Sequence, residues 1–112
     1  MKANLSKAQQ KLLDEMHEIL DTIRKYKNYE DFFMNSNYID ASKISINCKS
    51  QLNGKELSKD EEEKNKNWFY RTYNENIVLT LANTKTLEKL EKLGYIEIIE
   101  IGYLDKVKVL NY

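Results

Sequence analysis

Residues 83–99 have the sequence NTKTLEKLEKLGYIEII, and this stretch decides the fold. Leucine recurs there at every third position, which is the spacing of one helix face, and Gly94 follows where a left-handed residue commonly ends a helix. Asn83 is a preferred first residue, because its side chain can accept a free backbone N–H. The pattern predicts a short helix over residues 84–93, followed by a strand of β-branched residues.

A β-hairpin is predicted to follow this helix. Residues 95–101 and 106–110 are strand-like, and the four residues between them, Gly102 to Asp105, form the expected tip. The apolar side chains that we expect to face the core are Ile96, Ile98, Val107 and Val109. The polar side chains that we expect to face water are Glu97, Lys106 and Lys108.

Upstream, the pattern predicts helix first and strand later. An amphipathic helix of about twenty residues is predicted after Ser6, which can cap it. The segment from about residue 53 to residue 67 starts with the turn signal Asn53-Gly54 and is solvated, as a loop or as an exposed helix that begins with the Ser58 and Glu61 capping-box pair. Aromatic and β-branched residues over 68–81 predict one or two strands. Together these elements predict a single α+β domain over residues 1–112.

Composition and charge exclude several classes of protein. The formal net charge is +0, so no long-range basic field draws the chain to a nucleic acid, and any such binding must come from local charge segregation. Cys48 is the only cysteine, which excludes an intrachain disulfide and indicates a reducing compartment. We find neither an apolar run of membrane-spanning length nor a signal-peptide pattern, so the sequence predicts a cytoplasmic protein without a membrane partner.

The predicted short helix carries a basic stripe. At about 100° per residue, Lys85, Lys89 and Lys92 fall on one face of the helix. Their ammonium groups can meet phosphates or guanine edges, and Thr84 and Thr86 at the helix start can donate hydrogen bonds to phosphates. A docked surface helix, whose solvated lysines pair with neighbouring glutamates, is the alternative that the sequence leaves open.

The hairpin tip is the second candidate contact. An exposed Tyr103 and an exposed Leu104 beside lysines suit a tip that enters a minor groove or packs along a backbone, whereas Tyr103 folded onto the sheet is the alternative. Gly102 permits close backbone approach, and Lys106 and Lys108 alternate on the outer face of the last strand. Because Glu88 and Glu91 repel phosphates from the helix, the hairpin is expected to contribute as much as the helix. Arg71, set among aromatic residues, can stack, reach phosphate or pair with Glu75.

The run from Asn83 to Ile99 resembles the recognition helix and first wing strand of winged helix-turn-helix proteins. The resemblance covers about residues 77–112 and implies a winged-helix fold with a long N-terminal helix, a short recognition helix and a C-terminal hairpin wing. Strand-like residues 77–81 depart from the family, because they stand where its first motif helix is expected. The resemblance implies a protein that binds double-stranded DNA sequence-specifically, without a cofactor.

The chain is also similar in size and residue composition to relaxosome accessory proteins of clostridial conjugative plasmids, which bind beside an origin of transfer. This similarity implies an accessory protein of a plasmid or phage, acting at a DNA processing site within a larger nucleoprotein complex, or a transcriptional regulator. A homodimer is expected, with the cluster of Tyr29, Phe32 and Phe33 as its interface.

Enzymatic chemistry is not expected from the sequence. With one histidine and one cysteine there is no zinc-ligand spacing, and the isolated glycines form no phosphate-binding loop. The acidic run over residues 60–63 lacks the alternating spacing of a calcium loop, so no metal is expected. The alternative function is a protein-interaction module that does not bind DNA, such as a phage-encoded inhibitor or adaptor.

Overall fold

The structure, a computed structural model, describes residues 4–44, 46, 55–80 and 82–112. Cys48 and the turn expected at Asn53-Gly54 lie outside these ranges. Within them the chain is an α+β protein with five helices and one three-stranded antiparallel sheet. The helices are α1 (Lys7–Ile23), α2 (Tyr29–Asn35), α3 (Tyr38–Ile44), α4 (Lys59–Tyr73) and α5 (Thr84–Lys92). The strands are β1 (Asn76–Leu79), β2 (Ile96–Glu100) and β3 (Asp105–Val109).

Backbone contacts divide the chain into two units, so each is described by itself. The sheet unit comprises Met1–Glu18 and Glu75–Tyr112, and the helical unit comprises Ile19–Asn74. The boundary falls inside α1, whose length and start agree with the sequence pattern. Ser6 Oγ accepts the Gln9 N–H at 3.2 Å, while the Gln9 side chain accepts the Ser6 N–H at 2.9 Å. This reciprocal capping box explains why the helix begins where it does. The single domain that the sequence predicts over residues 1–112 stays a prediction.

In the sheet unit, β3 is the central strand and the sheet order is β1-β3-β2. The register places Ile77 beside Val107 and Ile96 beside Val109, and all four side chains are buried. α5 packs against β2 and buries Leu87 and Leu90. The hydrophobic free energy of burying these side chains therefore fixes which face of α5 points inward and which faces solvent.

The helical unit is built around aromatic side chains. Its core contains Tyr29 and Phe32 of α2 and Phe69 of α4. The ring centroid of Phe69 lies 6.0 Å from that of Tyr29 and 5.5 Å from that of Phe32. Asn28 caps α2 by accepting the Asp31 N–H at 2.8 Å. Hydrogen bonds from the Lys27 backbone N–H and then from the Asn35 side chain stabilise the Asp31 carboxylate and lower its pKa.

Two expectations for this unit are wrong. Of the one or two strands expected over residues 68–81, β1 is present, but residues 68–73 form the second half of α4. The Ser58 cap starts a helix whose buried positions Asn65, Phe69 and Thr72 recur at helical spacing. The aromatic content of this stretch reflects burial on one helix face. The second error concerns the proposed dimer interface, since Tyr29 and Phe32 are core residues with almost no exposed surface.

The charged segment before Trp68 is a helix over most of its described length. Ser58 Oγ accepts the Glu61 N–H at 3.2 Å, so the capping-box pair does start α4. Most side chains over residues 55–67 are exposed, as expected for a solvated segment, although Asn65 is buried. None of the helices in the described ranges is long and apolar enough to cross a bilayer.

Candidate nucleic-acid interface

Both ends of α5 are fixed by the local motifs that the sequence predicts. Asn83 Oδ1 accepts the Thr86 N–H at 3.2 Å, which satisfies one free donor of the first turn. At the other end Gly94 adopts φ +86°, its N–H donates to the Glu91 carbonyl, and the Tyr95 N–H donates to the Leu90 carbonyl. This pair of bonds is a Schellman motif, which turns the chain directly into β2.

The solvent face of α5 carries the three lysines of the predicted stripe. Lys85, Lys89 and Lys92 are exposed, while Leu87 and Leu90 on the opposite face are buried. Among the ion pairs of the described residues, none includes any of the three lysines. The pairing with neighbouring glutamates that a purely structural surface helix would show is thus not formed. Three adjacent cationic groups are left on one helix face.

The two threonines at the start of α5 lie in different surroundings. Thr84 is exposed, whereas Thr86 is half-buried and lines a groove of about 230 Å³ together with Asn83 and the α1 residues Ala8, Lys11 and Leu12. The first half of α1 therefore lies beside the N-terminus of α5. Of the two hydroxyl groups, that of Thr84 is the more accessible to a phosphate.

Glu91 is engaged in a contact that the sequence pattern did not indicate. Its Oε2 accepts the Ile98 N–H at 2.7 Å. Ile98 lies on the edge strand β2, opposite Val107, and its N–H points away from β3. The carboxylate thus links the end of α5 to the hairpin. It also accepts a hydrogen bond from a backbone N–H on the edge strand that no other strand of the described sheet can pair with. Glu88 is exposed and forms no ion pair with any described residue, so only Glu88 stands as an unengaged acidic group beside the lysine stripe.

The hairpin lysines, by contrast, face acidic partners. Lys106 Nζ lies 3.1 Å from Glu100 Oε2, and Lys108 is paired in register with Glu97. Each lysine on the outer face of β3 therefore stands opposite a glutamate on β2, which reduces its local field. The sequence predicts that acidic neighbours weaken phosphate binding more on the helix than on the hairpin. The structure corrects this, because the lysines of α5 are less neutralised by glutamates than those of the hairpin.

The hairpin tip is open to solvent. Tyr103 is 100% exposed, so its ring does not fold onto the sheet. The Asp105 carboxylate, which is buried, accepts the Gly102 N–H at 3.3 Å and holds the turn. The φ of Gly102 lies outside the left-handed region, and a Cβ added there would meet no atom within 4 Å. Neither backbone strain nor internal crowding requires glycine at this position, which leaves room for an approaching molecule.

Sequence reasoning missed a bulge in β2. The register shifts between Ile98 and Glu100, so Ile99 is an extra residue without its own partner on β3. The shift brings Glu100 opposite Lys106 and leaves Ile99 and Ile101 exposed. No local sequence signal marks this bulge, because it depends on the pairing with β3.

Arg71 belongs to a different unit of the chain from the other candidate residues. It lies on α4 in the helical unit, whereas all the other candidate residues lie in the sheet unit. Its Nε atom is buried, and no hydrogen-bond partner for it exists in the described part of the chain. The ion pair with Glu75 that the sequence left open is not formed among the described residues.

The contact between Glu91 and Ile98 leads to a testable contrast with Glu88. On the sequence hypothesis that the lysine stripe contacts duplex DNA, replacing Glu88 by alanine removes an exposed negative charge beside the stripe, so DNA affinity is expected to rise about threefold to fivefold. Replacing Glu91 by alanine removes the same charge but also the tie to β2, so affinity is expected to fall or stay unchanged. Fluorescence anisotropy with one labelled duplex measures both effects.

Glu91→Gln is the matched control for this contrast. It keeps a side-chain oxygen for the Ile98 N–H without the charge, so its affinity is expected to rise as that of Glu88→Ala does. If Glu91→Ala and Glu88→Ala raise affinity equally, the tie does not position the hairpin.

The described ranges hold no group of three or more histidine, cysteine, aspartate or glutamate side chains placed to bind a metal ion.

Comparison of the chain with protein-family models, with curated proteins and with solved structures finds no match.

Proposed function

We propose that the protein binds double-stranded DNA sequence-specifically, with α5 as the recognition helix and the β2–β3 hairpin as a wing. The observation that carries the proposal is the exposed stripe of Lys85, Lys89 and Lys92, which forms no ion pair with any described residue. Unpaired lysines on one face of a rigidly capped helix suit contacts to phosphates and guanine edges in the major groove.

Two further features support a winged-helix arrangement. α5 leads through its glycine cap into an antiparallel hairpin, as the resemblance implies, and β1 adds a third strand beside β3. α1 lies beside the N-terminus of α5, where it can serve as the supporting helix of the unit. The chain differs from the winged-helix pattern upstream of α5. Only residues 80–83 separate β1 from α5, which leaves no room for a further helix.

The biological setting is proposed from the resemblance alone. An accessory protein at a plasmid or phage DNA processing site, such as an origin of transfer, and a transcriptional regulator both need the same duplex-binding surface. In either role the protein acts as part of a larger nucleoprotein complex, in the cytoplasm and without catalytic chemistry of its own. A homodimer suits this role, because one small module covers only about 600–1,000 Å² of surface at its DNA contact.

The test is a binding titration with duplexes from the DNA that flanks the gene, with scrambled duplexes and with single strands. Binding to the best duplex is expected to be at least about 1,000-fold tighter than to scrambled DNA. The logarithm of the association constant is expected to fall with the logarithm of the salt concentration with a slope of about −2.7, for three phosphate contacts. If no duplex binds at low salt, the protein is not a DNA-binding protein.

One observation favours the alternative of a protein-interaction module. Met34 of α2 and Tyr38 and Ile39 of α3 are exposed large apolar side chains close together in sequence. Such a patch commonly marks a protein contact. Replacing the three residues by serine should then abolish binding to a protein partner, or self-association in sedimentation, without changing DNA affinity.

A further inference from the structure

Three large apolar side chains lie along the edge and tip of the hairpin. Ile99 is 54% exposed, Ile101 is 43% exposed and Tyr103 is 100% exposed. The bulge of β2 contributes to this exposure, because Ile99 has no partner residue of its own on β3. We call these three residues the apolar ridge. Their exposure at alternate positions toward the end of one hairpin indicates a contact surface.

We propose that the apolar ridge is a wedge that enters the minor groove of duplex DNA and bends the duplex. This inference rests on the proposed DNA-binding function and specifies what the wing does to the DNA. It assigns a role to Ile99 and Ile101, and it makes DNA bending a second activity beside recognition by α5.

The size of the ridge favours DNA over a protein partner or a second copy. A stable protein interface takes about 800 Å² and 20–30 residues from each partner. Three side chains at the end of one hairpin supply a small part of that area. Proteins that bend DNA, in contrast, need only one or a few apolar side chains, which insert between base pairs and unstack them.

The dimensions of the hairpin explain why the DNA has to bend. The backbones of two paired strands lie about 4.8 Å apart, so a two-stranded ribbon with its side chains is wider than the unaltered minor groove of about 6 Å. Tyr103 alone can enter an undistorted groove. Ile99 and Ile101 reach the bases only when the groove opens, and apolar side chains gain most from base faces exposed by unstacking.

A wedge also needs a rigid support, and the hairpin is held by two internal contacts and by one contact to α5. Asp105 holds the turn through the Gly102 N–H, and Glu100 pairs with Lys106 at 3.1 Å. Glu91 of α5 holds β2 through the Ile98 N–H at 2.7 Å. The open surface at Gly102 lets a DNA backbone approach the turn closely.

The experiment measures DNA bending separately from affinity. A duplex of about three helical turns, with a flexible TA step in its centre and a fluorophore on each end, is titrated with the protein. Energy transfer is expected to increase on binding, corresponding to a bend of about 40° or more. Tyr103→Ala and Ile101→Thr are expected to bind with less than a tenfold loss of affinity but with at most half the bend.

Two variants serve as controls. Tyr103→Phe keeps the apolar ring and is expected to bend the duplex as the native protein does, which excludes a role for the hydroxyl hydrogen bond. Tyr38→Ala removes an exposed tyrosine of the helical unit and is expected to change neither bend nor affinity.

The outcomes separate this inference from the proposed function. Tight binding without any change in energy transfer overturns the wedge and leaves DNA binding standing. Absence of binding to every duplex overturns both. If the ridge variants change the sedimentation coefficient and not the bend, the ridge is a surface for a second copy and the wedge is wrong.

Discussion

Replacing Lys85, Lys89 and Lys92 together by alanine is expected to lower the affinity for duplex DNA by about 100-fold near physiological salt. Each lysine that neutralises a phosphate releases about 0.9 counterion, which is worth about a fivefold change in affinity at that salt concentration. The salt dependence should flatten as well, with the slope of the log–log plot reduced by about 2.7 for the triple variant. Anisotropy titrations across a range of salt concentrations give both quantities.

The control for this prediction is a second triple variant with the same change in charge. Lys55, Lys59 and Lys64 lie in the helical unit, are exposed and take part in none of the ion pairs among the described residues. Their replacement by alanine should change affinity by less than about threefold, since no local phosphate contact is lost. Equal losses in the two variants would mean that net charge alone, and not the α5 stripe, governs binding.

Phe69→Ala is expected to lower the free energy of unfolding by about 3–5 kcal/mol, the largest stability effect that we expect of a single change. The side chain is fully buried, and its ring lies within 6.0 Å of the rings of Tyr29, Phe32, Tyr70 and Tyr73. Its removal leaves a cavity among rigid rings that cannot collapse easily. Small domains are stable by only about 5–15 kcal/mol, so the loss is a large part of the total.

Urea unfolding followed by Trp68 fluorescence measures this effect, since Trp68 packs against the same core. Phe33→Ala is the matched control, because Phe33 is only half-buried at the margin of that core and its loss should cost about half as much. A loss below about 1 kcal/mol for Phe69→Ala would contradict the assigned core.

The elements that the sequence predicts well are those with local determinants. Ser6, Ser58 and Asn83 each accept a backbone N–H three residues later, and Gly94 adopts the positive φ expected at the end of α5. Such motifs depend only on neighbouring residues, so spacing and residue type are sufficient to find them. The alternation that predicts the β2–β3 hairpin is local in the same sense.

The errors arise where burial depends on distant parts of the chain. The aromatic residues over 68–73 have high strand propensity, but their environment is set by α2, which packs against α4. Tyr29 and Phe32 have the composition of an interface patch, and only the fold shows that α4 covers them. Residue type alone cannot distinguish a buried aromatic cluster from an exposed one.

In the candidate site, too, the sequence predicts the features that depend on neighbouring residues and misses those that depend on distant ones. The lysine stripe of α5 follows from helical periodicity, and Tyr103 at the tip follows from the hairpin turn. The hydrogen bond of Glu91 to Ile98, the bulge at Ile99 and the ion pair of Lys106 with Glu100 depend on strand register and on how α5 packs. These contacts decide that the helix, more than the hairpin, offers unneutralised lysines.

We propose that α5 and the hairpin tip together form one DNA-contacting surface. The most direct test is an amide NMR titration of the isotopically labelled protein with duplex DNA. We expect the largest shift changes on Thr84 to Lys92 and on Gly102 and Tyr103, with small changes along α4. Shift changes centred on Met34, Tyr38 and Ile39, or no changes at any duplex concentration, would contradict it.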